Sequence, residues 1–224
     1  EAVVTLGNLV QVYDGTGKSV SVTTEPAGLA VGLTYNGSYA VPTSTGSYSV
    51  VASVTAPGYA GSASNTLVIA PIPVGVTLTD LEQVYDGTAR TVSAHCLPAV
   101  AYALTYGGSA SAPSLAGSYT VAATVTEPYH AGGATGTLVV AKADGEVLFD
   151  SLGAVYDGAG KSPPVTTIPS GLAVDLAFNG SAALPVTAGT YTVVGTLNAP
   201  NHAGAATDLF VVARATDTIL FGQT

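Results

Sequence analysis

Three aspartates are the side chains of this chain best placed by type and spacing to do chemistry. They sit in Tyr13-Asp14-Gly15, Tyr85-Asp86-Gly87 and Tyr156-Asp157-Gly158, at intervals of 72 and 71 residues. A carboxylate at a recurring turn invites a calcium reading, with Asp14, Asp86 and Asp157 as ligands at domain junctions. Calcium takes six to eight oxygens, usually from several carboxylates close together. Each repeat offers one recurring aspartate and scattered acids such as Glu25, Asp80 and Asp144, which do not repeat. The ligand count falls short, and turn chemistry accounts for the motif better. The tyrosine ends a strand and packs its ring, the aspartate caps the turn, and the glycine supplies a positive φ.

The other reactive side chains are as sparse. Pro57-Gly58-Tyr59-Ala60-Gly61, Pro128-Tyr129-His130-Ala131-Gly132 and Pro200-Asn201-His202-Ala203-Gly204 read as one hairpin loop met three times, with Tyr59, His130 and His202 at a shared position. Two histidines in different repeats make no local metal site. Cys96 is the single cysteine, which excludes an intrachain disulfide. His95 is its chain neighbour, so on a strand the two point to opposite faces, and the thiol reads as a small buried hydrophobe. A Lys–Asn isopeptide link has Lys18 and Lys161 as candidates, but Arg90 stands at that place in the second repeat. A link common to all repeats is therefore impossible. Asn36-Gly37-Ser38 and Asn179-Gly180-Ser181 match a glycosylation acceptor, yet Asn-Gly is also a preferred hairpin turn. Gly107-Gly108 keeps the turn and drops the acceptor, so the turn reading prevails. With no recurring His/acid pair and no phosphate loop, no catalytic, cofactor or metal residue is assigned, and the chain reads as a non-enzyme. Ligand-binding residues stay unknown.

The repetition fixes the elements that carry these residues. Gly46-Ser47-Tyr48, Gly117-Ser118-Tyr119 and Gly189-Thr190-Tyr191 form a second marker in phase with the first. The third is Thr66-Leu67-Val68-Ile69, Thr137-Leu138-Val139-Val140 and Leu209-Phe210-Val211-Val212. Between markers the apolar period is two, as in Ser49–Thr55, Thr120–Thr126, Leu29–Tyr35 and Leu172–Phe178. No stretch has the pattern of an amphipathic helix. Each repeat thus predicts six or seven short strands at sandwich spacing. The tyrosines of the second marker open alternating strands as core anchors, akin to the tyrosine corner of sandwich folds. The expected fold is all-β: three tandem, small, antiparallel, immunoglobulin-like β-sandwiches in an elongated array. A β-grasp unit ranks second, for want of its crossover helix. The expected domains are residues 1–70, 71–142 and 143–213, with 214–224 as the start of a fourth repeat or a linker strand. Junctions such as Ala70-Pro71-Ile72-Pro73 are short and stiff, which predicts a rod.

Composition narrows the function classes. Charged residues make up 8% of the chain, and 5 Lys and Arg stand against 14 acids, for a net charge of −9. That balance opposes nucleic-acid binding and docking on anionic lipid. No apolar run approaches the ~18 residues of a membrane helix. The chain holds no methionine, which with the partial fourth repeat predicts an excerpt of a longer array. A surface of hydroxyls and amides with few charges fits an extracellular setting.

The ordered series Tyr-Asp-Gly, Tyr35-Asn36-Gly37, Gly-Ser-Tyr, Pro-Xaa-Tyr/His-Ala-Gly and Leu-Val-Ile resembles the MBG/YDG-type repeats of large bacterial surface proteins. The resemblance covers the whole chain three times. Tyr106-Gly107-Gly108 and Phe178-Asn179-Gly180 are the departures, both compatible with the turn. It implies secreted or cell-surface, adhesin-like proteins in which such repeats serve as stalk or interaction modules. It carries over no binding residue and no cofactor. The first expectation is a structural stalk segment whose partners are the neighbouring repeats of its own protein. The second is a module binding a glycan or a host protein through its loop tips. The third is a filament subunit assembling by strand exchange, with Ile219-Leu220-Phe221 as the strand lacking a partner.

Overall fold

The computed structural model describes residues 1–216, and all of its regular elements are strands. The segment 217–224, with the strand expected at Ile219–Phe221, lies outside the described residues. The first repeat holds β1 (Val3–Gly7), β2 (Val10–Val12), β3 (Ser21–Glu25), β4 (Val31–Tyr35), β5 (Gly46–Val54) and β6 (Ser62–Ala70). The second holds β7 (Ile72–Pro73), β8 (Gly75–Thr79), β9 (Glu82–Val84), β10 (Ser93–Leu97), β11 (Tyr102–Tyr106), β12 (Gly117–Val125), β13 (His130–Ala131) and β14 (Gly133–Ala141). The third holds β15 (Ala143–Asp144), β16 (Glu146–Phe149), β17 (Gly153–Val155), β18 (Val165–Ile168), β19 (Val174–Phe178), β20 (Gly189–Leu197), β21 (His202–Ala203) and β22 (Ala205–Ala213).

Backbone proximity gathers the described strands into two compact units. One comprises Glu1–Thr79, Ser93–Ala110 and Ala122–Thr135; the other comprises Asp80–Val92, Ser111–Val121 and, of the described residues, 136–216. The division runs through the second repeat, a feature that the threefold motif spacing does not announce.

In the first unit, β1 pairs antiparallel with β3, placing Val3 opposite Glu25 and Gly7 opposite Ser21. The facing sheet has the order β2-β6-β5-β4. β4, β5 and β6 pair antiparallel, while β2 runs parallel to β6 with Val10 opposite Val68. Alternation decides which side chains enter the core. Val50 and Ala52 of β5 and Leu67 of β6 are fully buried, and the residues between them face out. Val20, Tyr35, Val50, Leu67 and Ile69 form the core, with Leu6, Leu9, Val22, Leu33 and Tyr48 packed around it.

The second unit repeats this plan in the third repeat. β16 pairs with β18, and the facing sheet has the order β17-β22-β20-β19, again with one parallel edge pair, Gly153 opposite Val211. Phe178, Val193, Phe210 and Val212 fill the core. The second repeat carries the matching order β11-β12-β14-β9. The all-β reading holds throughout. The parallel pair at one edge of each larger sheet was not legible in strand periodicity, which is the same for either direction.

One core substitution is doubly compensated. In the first repeat the Val20 N–H donates to the Tyr35 hydroxyl across the core at 3.2 Å. In the third repeat Phe178 stands for Tyr35 and a buried Pro163 for Val20, so donor and acceptor vanish together. Losing both partners is nearly neutral, whereas losing one strands a buried polar group. Tyr35→Phe is therefore expected to destabilise the first unit by about 1–3 kcal/mol, measured as a lower urea midpoint. Adding Val20→Pro tests whether removing the stranded donor restores part of that loss.

A second local substitution involves the cysteine. Each repeat turns through a cis proline, after Glu25, Leu97 and Ile168. The hydroxyls of Thr24 and Thr167 donate to the carbonyls of Pro26 and Pro169 at 2.8 Å and accept the N–H of Leu29 and Leu172 at 3.1 Å. Cys96 takes this place in the second repeat, is 5% exposed, and makes neither bond among the described residues. His95 faces out while Cys96 faces in.

Candidate functional site

The Tyr-Asp-Gly turn is built from its own sequence. Gly15, Gly87 and Gly158 sit at φ of 82°, 84° and 84°, a region that costs a glycine nothing. Asp14 Oδ1 accepts the Thr16 N–H at 2.9 Å and the Thr16 hydroxyl at 2.6 Å. Asp86 repeats both bonds with Thr88, and Asp157 accepts the Ala159 N–H at 2.9 Å. The other carboxylate oxygen takes a cation four residues on: Lys18 at 2.5 Å from Asp14, Arg90 at 2.7 Å from Asp86, and Lys161 on Asp157. The lysines weighed for an isopeptide link are thus ion-paired to the turn aspartate. Arg90 also donates to the Val84 carbonyl, but its buried Nε has no partner among the described residues. A guanidinium brings more donors than a slot shaped for lysine accepts.

These bonds stabilise the charged carboxylates. The hydrogen bond from Lys18, then those from Thr16, hold Asp14 well below the usual carboxylate range. Thr88 does the same for Asp86, and Lys161 with the Ala159 N–H for Asp157. A carboxylate with a lowered folded pKa contributes stability above its unfolded value, about 4, and loses it as pH falls toward the folded value. The thermal midpoint is accordingly expected to drop as pH falls below about 4. The triple variant Asp14→Asn, Asp86→Asn, Asp157→Asn should lose most of that slope in a pH series of thermal melts. Among the described residues no group of three His, Cys, Asp or Glu side chains is arranged to hold a metal ion.

The tyrosine of the second marker anchors the strand beside this turn. The hydroxyls of Tyr48, Tyr119 and Tyr191 donate to the carbonyls of Ser44, Leu115 and Thr187 at 2.9, 3.0 and 2.8 Å. That is the reach-back, four residues upstream, expected of a tyrosine corner. The Asn-Gly turns also behave as turns. Asn36 and Asn179 take φ of 50° and 48°, and their amide oxygens accept the N–H of Ser49 and Thr192.

The Pro-Xaa-Xaa-Ala-Gly loops lie where the sequence puts them, between β5 and β6, β12 and β14, and β20 and β22. Each also pairs with the start of its own repeat. The Ala2 N–H donates to the Ala60 carbonyl, β7 runs parallel to β13, and β15 runs parallel to β21. The closing glycine is required by this approach. A Cβ at Gly61, Gly132 or Gly204 would overlap the carbonyl group of Ala2, Val74 or Gly145.

These loops meet the Tyr-Asp-Gly turns of the preceding repeat, and here the two motifs become one site. In the first unit Tyr13 stacks on Tyr129, with centroids 4.3 Å apart and planes 11° from parallel. In the second, Tyr85 meets His202 edge to face at 5.4 Å and 78°. There the Ala116 N–H also donates to Asn201 Oδ1 at 3.0 Å, and Lys142 Nζ to the Ala199 carbonyl at 2.8 Å. The ring comes from the second loop residue at one junction and the third at the other. Tyr59, His130 and His202 therefore share a sequence position without sharing a role: the His130 ring bonds the Pro128 carbonyl within its own loop. Tyr13→Ala is expected to cost about 0.5–1.5 kcal/mol beyond the lost area. A double-mutant cycle with Tyr129→Ala, read by urea unfolding, isolates that coupling.

The arrangement is that of a tandem array of small β-sandwich repeats joined through aromatic contacts. The MBG domain matches the chain three times, at residues 2–72, 74–144 and 145–216, and the chain belongs to that family. No curated protein matches it. Among solved structures, immunoglobulin domains 1–5 of Sidekick-1 align over 94% of this chain and 58% of that one, at 15% identity and a TM-score of 0.34. Domains 1–6 of the surface layer protein SbsC align over 96% and 40%, at 15% identity and a TM-score of 0.25. The chain thus spans less than two thirds of either.

Proposed function

We propose that this segment is a non-catalytic spacer within an extracellular, adhesin-like bacterial surface protein, acting as a stalk through repeats that brace their neighbours. One observation carries the reading: at both junctions the tyrosine of the Tyr-Asp-Gly turn receives the aromatic loop of the next repeat. Loops engaged in this way serve packing within the chain. A sparsely charged, mildly acidic surface suits an extracellular spacer that must not adhere to nucleic acid or anionic lipid. Membership of a repeat family is consistent with the role, since such arrays are stabilised by nearest-neighbour contacts.

A binding role for the loop tips would rest on Tyr59, which is 44% exposed. Assembly by strand exchange would rest on Ile219–Phe221, outside the described residues. The discriminating experiment applies the soluble chain to immobilised glycans and host matrix proteins. A spacer gives no saturable binding. Saturable binding abolished by Tyr59→Ala would replace the spacer reading with the binding-module reading.

A further inference from the structure

Two of the chain's asparagines, Asn36 and Asn179, precede a glycine. Asparagine is a chemically labile residue, and most so before glycine, where no Cβ shields the next backbone nitrogen. The reaction is a cyclisation. The Gly37 nitrogen attacks Asn36 Cγ, the Cγ–Nδ2 bond breaks, and the amide leaves as ammonia with the proton that the Gly37 nitrogen gives up. Water then opens the succinimide at either carbonyl and leaves aspartate or isoaspartate.

The folded turn opposes that cyclisation at both places. The Asn36 N–H donates to the Ser49 carbonyl at 2.8 Å, and Asn36 Oδ1 accepts the Ser49 N–H at 2.8 Å. Asn179 grips Thr192 in the same way, at 2.9 and 2.9 Å. Reciprocal backbone bonds close each turn, Tyr35 with Ser38 at 2.7 and 3.0 Å and Phe178 with Ser181 at 2.6 and 3.0 Å. The residue before each asparagine is a core ring, since Tyr35 and Phe178 are both 3% exposed. A succinimide contains the asparagine Cα–C bond and so fixes its torsion. Ring closure therefore requires Oδ1 to leave its donor and the backbone to rotate beside a buried ring. Both asparagines are exposed to water, so the clamp is what holds them back, not burial.

We propose that Asn36 and Asn179 are deamidation sites locked by the folded turn, which react when the turn opens locally. The second repeat closes the same turn between Tyr106 and Ser109 but carries Gly107-Gly108, so it has no amide to lose. The two products differ in consequence. Aspartate keeps an oxygen acceptor for the Ser49 or Thr192 N–H. Isoaspartate adds a methylene to the main chain and breaks the turn's register with β5 or β20. The proposal concerns a turn within each repeat and stands apart from the spacer reading.

Incubation of the chain at mildly alkaline pH, with and without guanidinium chloride, followed by peptide mapping with mass spectrometry, tests it. In denaturant Asn36 and Asn179 should both convert, ahead of Asn8, Asn65, Asn198 and Asn201, which no glycine follows. In the folded chain both should convert at least about tenfold more slowly, the factor for about 1.4 kcal/mol of opening. Phe210→Ala removes the ring that meets Phe178 and should speed conversion at Asn179 without denaturant, with Asn36 as the internal reference. Equal rates with and without denaturant, no conversion at either site in denaturant, or an Asn179 rate unchanged by Phe210→Ala would overturn the proposal.

Discussion

Gly204→Ala is expected to cost about 3 kcal/mol or more and to loosen the start of the third repeat. A Cβ at Gly204 would overlap the Gly145 carbonyl group and press on Leu197. The obstacle is backbone held on both sides. Gly145 N–H donates to the Ala203 carbonyl at 2.9 Å, and Leu197 N–H to the Gly204 carbonyl at 2.8 Å. Neither strand moves aside without breaking the other's bond, so strain has no cheap outlet. Gly132→Ala meets the Val74 carbonyl in the same way. Gly153→Ala is the internal control, with nothing within 4 Å of its Cβ. It should change stability by less than about 1 kcal/mol, in either direction. Urea unfolding followed by circular dichroism ranks the three variants. Equal effects at Gly204 and Gly153 would mean that the close approach is not what the glycine serves.

Phe210→Ala is expected to cost about 3–5 kcal/mol, the range for emptying a buried aromatic site. Phe210 is fully buried, lies opposite Tyr191 across the β20–β22 pair, and meets Phe178 with ring centroids 6.0 Å apart. The other repeats hold a fully buried leucine at this position, Leu67 and Leu138. Phe210→Leu should therefore lose less, about 1 kcal/mol, because a leucine fits the same sandwich and leaves a smaller void. Paired urea midpoints give the comparison. If alanine and leucine cost the same, cavity size is not what sets the loss.

What was legible in the sequence was local. Asp14 capping Thr16, Asn36-Gly37 turning with positive φ, and Tyr48 reaching back to Ser44 all act within a few residues, and their chemistry is readable as a motif. Contacts made over long separations were not. Tyr13 and Tyr129 are individually ordinary aromatics, and nothing in either repeat alone says that they stack. Gly61 reads as loop punctuation until Ala2 is seen against it. The Lys18, Arg90 and Lys161 column was legible as a repeated cation but not as the partner of the turn aspartate, because i to i+4 pairing outside a helix has no sequence rule. Pro163 and Phe178 look like independent departures from the repeat; only the Val20–Tyr35 bond shows why they change together.

Small-angle scattering on the chain, with and without EDTA, tests the central claim most directly. Repeats braced through Tyr13–Tyr129 and Tyr85–His202 predict a profile that is indifferent to EDTA and that gains flexibility in the Tyr13→Ala, Tyr85→Ala double variant. A wild-type profile that shifts when EDTA is added, or a double variant whose profile matches the wild type, would contradict it.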